Sequence, residues 1–268
     1  MNTLSFITAN YVARELDYQM TKGWDQGDAV TQATFRPTKQ FEPKFDAMLG
    51  DVKALGFGAV DIWSAHLHGG WATPEHLRTA KELLAKHELK VISMAAWVDS
   101  LETLKGTAAV AAALGATSIG GGAPSLSKFR ADAEAVLKDH GVKLGIENHP
   151  EKTPEDLLKQ IGDGADGFIG AAVDTGWWAT QGFNAPQAIR ELKDHLVHVH
   201  LKDIKAEGEH ETCRLGAGIV PVERCLETLQ EVGYKGALGI EHEPETFDPT
   251  EDIRASTKLI RDWLAGHG

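Results

Sequence analysis

Four short stretches set ionisable side chains where apolar runs end: GIENHP (145–150), AVDTG (172–176), HVHLKD (198–203) and GIEHEP (239–244). Each reads as a buried strand that finishes in a donor group: Glu147, Asp174, His198 with His200, and Glu241. Alternate residues of a strand share a face, so His198, His200 and Lys202 point one way, as do Glu147 with His149 and Glu241 with Glu243. If the four strands lie side by side, three carboxylates and at least one imidazole crowd into one cavity. Like charges at such distances cannot all stay ionised without a counter-charge, and a divalent cation supplies it. Three hard oxygen donors and one nitrogen suit Mn²⁺ or Mg²⁺ better than the thiolate-rich sites that hold structural zinc, with Zn²⁺ and Co²⁺ as the alternatives.

Convergence of this kind requires parallel strands with their ends together. Eight β-rich runs alternate with helical patterns: LSFITAN (4–10), AVDIWSA (59–65), KVISMAA (90–96), TSIGGG (117–122), KLGIENH (143–149), FIGAAVD (168–174), LVHVHLKD (196–203) and ALGIEHE (237–243). TPEHLRTAKELLAKHE (73–88) carries Leu77, Ala80, Leu83 and Leu84 at helical spacing behind a Thr cap and a Pro in the first turn; TPEDLLKQIG (153–162) opens the same way. DPTEDIRASTKLIRDWL (248–264) closes the series with Ile253, Leu259, Ile260 and Trp263. Eight strand–helix units in 268 residues predict a single α/β domain, a (β/α)₈ TIM barrel, with an open doubly wound sheet as the alternative. Residues 11–42 separate the first strand from its helix, and a connection of that length is usually functional or independently structured. The segment is expected to be a lid over the cavity carrying Trp24 and Phe35, or else a surface excursion or oligomer contact.

The motifs IENHP, VDTG, HVHLKD and IEHEP, in this order on an eightfold βα chain, resemble the xylose-isomerase-like barrel superfamily of sugar isomerases and epimerases. The resemblance covers essentially the whole chain. It implies that Glu147, Asp174, His200 and Glu241 ligate the cation, and that Glu147 and Glu241 also exchange the substrate proton, as the ligating Glu positions do in ketose epimerases. Two positions depart from the pattern. Trp177 stands where many relatives carry a His three residues after the strand-6 Asp, and Arg214 is the nearest candidate for the Arg that epimerases supply after strand 7.

Other groups fall at the same strand ends. His66 and His68 in AHLHGGW (65–71) are expected to reach the cavity and contact substrate. His149 is a candidate acid, base or hydroxyl contact. Lys202 is a candidate for stabilising an enolate oxygen, or else a salt-bridge partner of a site carboxylate. Trp97 and Trp177, with Trp63 and Trp178, are placed to wall a sugar face. The predicted reaction is proton abstraction next to a ketone, with a metal-bound enediolate reprotonated to give isomerisation or epimerisation. Departure of a β substituent from the same species gives the alternative, a lyase or deglycosidase of 3-keto-glycosides, which the DTGWW and EHEP variants resemble. An endonuclease IV-like phosphodiesterase requires more His ligands and a basic track, whereas Lys and Arg total 27 against 39 Asp and Glu, a formal charge of −12 that repels nucleic acid. A non-catalytic metal-binding or accessory subunit is the remaining alternative. Cys213 and Cys225 show no CxxC spacing and no leader pattern precedes the first strand, so a cytoplasmic setting is expected; homo-oligomerisation is left open. No apolar run approaches the roughly 20 residues that span a bilayer.

Overall fold

In the computed structural model, which describes residues 2–267, βα units follow one another around a closed parallel barrel. The elements in order are β1 (Leu4–Ile7), α1 (Trp24–Phe35), α2 (Thr38–Ala54), β2 (Ala59–Trp63), α3 (Pro74–Lys86), β3 (Lys90–Ala95), α4 (Leu101–Leu114), β4 (Ser118–Gly121) and α5 (Arg130–His140). They continue through β5 (Lys143–Glu147), α6 (Pro154–Ile161), β6 (Ile169–Asp174), α7 (Thr175–Thr180), α8 (Ala185–Glu191), β7 (Leu196–Ile204), β8 (Thr212–Cys213), α9 (Val222–Glu231), β9 (Leu238–Glu241) and α10 (Thr250–His267). The barrel strands run β6-β5-β4-β3-β2-β1-β9-β7, and β6 pairs with β7 to close the ring. The eightfold TIM barrel expected from the βα alternation is therefore the observed fold. No described helix is long and apolar enough to cross a membrane.

Strands buried on both faces explain the near-continuous apolar runs: every residue of β2 and of β6 is buried. Helices such as α3, α6 and α9 wrap this ring with one apolar stripe each. In α3 the buried positions are His76, Ala80, Leu83 and Leu84, and Thr73 caps the helix by accepting from the His76 N–H. Thr153 does the same for α6 at the Asp156 N–H. Inside the barrel the level below the strand ends is built from small residues. A Cβ on Gly120 would touch Ala172 Cβ, His200 Cε1 and Ser93 Oγ, so this layer leaves its volume to imidazoles rather than to branched aliphatic side chains.

Two expectations change. Strand β1 ends at Ile7 rather than at residue 10, and the chain turns through 3₁₀ turns at Thr8–Tyr11 and Arg14–Leu16. The segment 11–42 is not one excursion: it contains α1, and its last residues, from Thr38, already belong to the barrel helix α2. Helix α1 buries Gly27, Thr31 and Phe35. A Cβ on Gly27 would lie 2.6 Å from the Val12 side chain, so the glycine lets α1 seat closely on the 3₁₀ turns. Met20 N–H donates to Glu245 O at 3.2 Å, which ties the segment to the loop after β9. The other addition is β8, a short antiparallel partner of the end of β7, pairing Cys213 with Asp203 and Thr212 with Ile204.

Candidate metal centre

The register of β5, β6, β7 and β9 brings the donor-bearing ends level: Glu147 pairs with Ala172, Asp174 with His200, His200 with Gly239, and Lys202 with Glu241. Glu147, Asp174, His200 and Glu241 each offer a ligand atom within 4.8 Å of the others, and all four are buried. His200 Nδ1 lies 2.5 Å from Glu147 Oε1 and 3.1 Å from Glu241 Oε2. Lys202 Nζ reaches Glu241 Oε1 at 2.7 Å, Glu243 Oε2 at 3.0 Å and Asp174 Oδ2 at 3.4 Å. Asp174 also caps α7, its Oδ1 accepting from the Trp177 N–H at 2.9 Å.

The electrostatics follow from three buried carboxylates and the half-buried Glu243 set against one ammonium and one imidazole. Burial resists the charge on His200, but Glu241 and Glu147 override it and hold the imidazole well above its usual range. Burial likewise opposes ionisation of Glu241, yet Lys202 and His200 bring its carboxyl down to about 2. Asp174 goes the other way: burial raises it to about 6, with Lys202 opposing and Glu241 and Glu147 adding repulsion. Asp174 Oδ2 and Glu241 Oε2 are buried without a hydrogen-bond partner. Their cationic neighbours are Lys202 Nζ, 3.4 Å from Asp174 Oδ2, and His200 Nδ1, 3.1 Å from Glu241 Oε2, and buried carboxylate oxygens gathered around one space are the donor set a divalent cation fits.

Around this cluster the chain places His149, Trp97 and Trp177. His149 Nδ1 lies 3.3 Å from Glu147 Oε2, and its ring sits 4.2 Å from that of Trp177 and 5.7 Å from that of Trp97, nearly perpendicular to the latter. Trp97 is 51% exposed, and its ring lies flush on Gly122, where a Cβ would overlap it. Trp177 also covers Lys202, with Nζ 5.5 Å from its ring.

Three residues expected at the cavity have no contact with the donor cluster among the hydrogen bonds and ion pairs of the described residues. His66 donates to or accepts from Thr8 Oγ1 at 3.1 Å and is boxed edge-on by Phe35 and Trp63. Burial, aided by the Arg14 charge, pushes its imidazole down to about 3. It lines a separate cavity with Arg14, Glu15 and Lys44. His68 accepts from Gly70 N–H at 2.9 Å and has Asp28 and Asp99 as its charged neighbours. Strand β2 stops at Trp63, and both histidines lie beyond it in the segment that follows. Arg214 is exposed and its side chain makes no hydrogen bond or ion pair among the described residues. Its loop is instead anchored by Asp203, whose carboxylate accepts from the N–H groups of Gly216, Gly218 and Val220.

The sequence reading also passed over residues that brace the donors. Asn148 clamps Asp174 by accepting from its N–H at 2.8 Å and donating to its carbonyl at 3.0 Å. Thr175 Oγ1 donates to Lys202 O at 2.7 Å and accepts from Lys202 N–H at 3.0 Å. Asp61, inside the fully buried β2, accepts from Ser5 Oγ at 2.6 Å. A carboxylate in such a strand was the available signal, since it has to find donors.

Comparison with known proteins places this geometry. An L-ribulose-5-phosphate 3-epimerase of Escherichia coli is 43% identical over 70 residues, 26% of this chain and 23% of that protein. The matched stretch is less than half the length of the curated relatives. A solved IolI protein with a bound zinc atom superposes with a TM-score of 0.72 at 15% identity, covering 99% of both chains. A 3-keto-D-glucoside 4-epimerase from Escherichia coli gives 0.63 at 18% identity, covering 80% of this chain and 93% of that one. At these identities the structures bear on the fold alone. The family model described as xylose isomerase-like TIM barrel matches residues 49–263, most of the chain and all four donor-bearing strands, and the protein belongs to that family.

Proposed function

We propose that the chain is a divalent-cation-dependent isomerase or epimerase of a keto sugar. The observation that carries this reading is the juxtaposition of two buried carboxylate oxygens that make no hydrogen bond, on Asp174 and Glu241, with the less buried imidazole of His149 beside Glu147. Glu147, Asp174, His200 and Glu241 would hold the cation, Mn²⁺ or Mg²⁺ suiting the set best and Zn²⁺ or Co²⁺ also matching its donors. When bound, the cation supplies Lewis acidity towards a carbonyl and its neighbouring hydroxyl.

The chain's own groups do the rest. Lys202 is pinned by Glu241, Glu243 and Asp174, so it neutralises the cluster and lends positive potential to oxygen charge that develops beside it. His149 or Glu241 removes the proton from the carbon next to the carbonyl. Returning it to the opposite face of that carbon gives an epimer; returning it to the former carbonyl carbon gives the aldose–ketose pair. Trp97 and Trp177 flank His149, where they stack on a sugar face. Incubating the Mn²⁺-loaded protein with a panel of keto sugars in D₂O is expected to place deuterium on the carbon beside the carbonyl. Turnover without solvent deuterium would overturn proton transfer in favour of a hydride shift.

A second reading rests on a groove of about 530 Å³ that starts at Glu147 and Trp97 and runs past Pro124, Leu126 and Pro150 to Arg130. It has room for a group beyond one sugar ring, as β-elimination from a 3-keto-glycoside needs for its aglycone. Including such glycosides in the same panel separates the readings: aglycone release with no isomerised sugar favours the lyase.

The segment from Tyr11 through α1 we read as a cover for the cavity mouth. Trp24, at the start of α1, packs 5.1 Å from the ring of Trp63 at the end of β2. Trp24→Ala is expected to raise KM or lower kcat with cation content unchanged; unaltered kinetics would make the segment a surface or oligomer feature.

A further inference from the structure

We propose that Asp61 is a positioning residue for His200: its unpartnered Oδ1 takes up the Nε2–H of His200, directly or across one ordered water, and so fixes the tautomer whose Nδ1 lone pair faces the cluster. The inference rests on the cation reading above and concerns the level of the barrel beneath it.

Both halves of the interaction are orphans. Asp61 is fully buried in the middle of β2. Its Oδ2 accepts from Ser5 Oγ at 2.6 Å and from His198 Nε2 at 3.2 Å, whereas Oδ1 is buried with no partner. His200 turns Nδ1 towards Glu147 and Glu241, and its Nε2 is buried with no partner. Ligand atoms of Asp61, His198 and His200 lie within 4.8 Å of one another. Gly239 keeps the space between them open, since a Cβ there would lie 2.9 Å from both Asp61 Oδ2 and His200 Cδ2, the carbon bonded to Nε2. The Asp61 carboxylate, with one of its oxygens unsatisfied, and the His200 imidazole, with its Nε2 unsatisfied, thus border one gap. Leaving either alone in a barrel interior costs about 1–3 kcal/mol, more for a charged group.

The chemistry follows from imidazole having one N–H when neutral. If Nδ1 gives its lone pair to a cation, the proton must sit on Nε2 and needs an acceptor. Carboxylates commonly play this part behind metal-ligating histidines, where they fix ring orientation and raise basicity. A second cation between Asp61, His198 and His200 is the competing account. It would require His200 to give up both nitrogens as an imidazolate and would displace the Ser5 and His198 hydrogen bonds, whereas a shared proton disturbs neither.

The test is cation binding by titration calorimetry with Mn²⁺, wild type against Asp61→Asn. Asn keeps the shape, but with its oxygen serving Ser5 and His198 its NH₂ faces Nε2 and favours the opposite tautomer. Wild type should bind one cation per chain, and the variant about 10- to 100-fold more weakly. ¹⁵N-histidine NMR of the Zn²⁺-loaded wild-type protein provides a measurement that needs no variant to fold: His200 should show a protonated, slowly exchanging Nε2. A variant affinity within about twofold of wild type, a His200 protonated at Nδ1 in the loaded protein, or two cations per chain would each overturn the role of Asp61. Absence of any cation binding by wild type would instead remove the cation reading, and the inference with it.

Discussion

Asp174→Asn should abolish cation binding while making the cation-free protein more resistant to heat. The two effects separate because Asp174 does two jobs. As the cap of α7 it uses Oδ1 to accept from Trp177 N–H, and Asn caps as well as Asp. As a donor it holds Oδ2 buried and unpartnered, and an amide cannot supply that anionic oxygen. The carboxyl is raised from 3.8 to about 6, chiefly by burial, with Glu241 and Glu147 adding repulsion and Lys202 opposing. The sign is therefore destabilising. Between about pH 4 and pH 6 the unfolded chain gives up this proton first, so stability falls as pH rises through that window, and above it the full deficit is present. Two units correspond to roughly 3 kcal/mol at most, which Asn removes. Melting followed at pH 8 should show the variant several degrees above wild type without cation, on the scale of about 2–4 °C per kcal/mol for a chain of this size. Saturating Mn²⁺ should then raise the Tm of wild type and leave that of the variant unchanged. An equal cation-induced gain in both would remove Asp174 from the ligand set.

His149→Ala is expected to lower kcat by about 10² to 10⁴, the usual loss on removing a positioned general base, with cation content unchanged. The side chain touches Glu147 only through its Oε2 at 3.3 Å, while the other oxygen, Oε1, is held by His200, so removing the imidazole leaves the donor cluster in place. Solvent-deuterium exchange into a keto sugar is the measurement. Wild-type exchange rates in the variant would transfer the role to Glu241, or to His66 and His68.

The repeating βα pattern was legible because both periodicities in it are strong: β2 and β6 are buried along their whole length, and α6 and α9 each show one apolar stripe. The donors could be read from the same pattern, since polar residues at the ends of buried strands stand out. Helix α1 was not legible. Its buried residues are Gly27, Thr31 and Phe35, two of them small and one polar, so it lacks the stripe that betrays a helix. The contacts of His66 and His68 were not legible, because both lie in the turn after β2, where no strand or helix periodicity says which way a side chain points. Arg214 was chosen by proximity in sequence, but the loop it sits on is organised by backbone N–H groups converging on Asp203, an interaction that residue types do not announce.

The position of β9 has a consequence for how the protein is made. This strand pairs Leu4 with Leu238 on one side and Val199 with Leu238 on the other, so it is the stave that joins the two ends of the ring. During synthesis β1 through β7 emerge first, and until β9 follows, β1 and β7 present open edges of the kind that invite mispairing. The same strand delivers Glu241. A nascent chain still short of it holds Glu147, Asp174 and His200 but cannot complete the donor set, so the cation capture proposed above would be coupled to ring closure and come late, after release of the β9 segment from the ribosome.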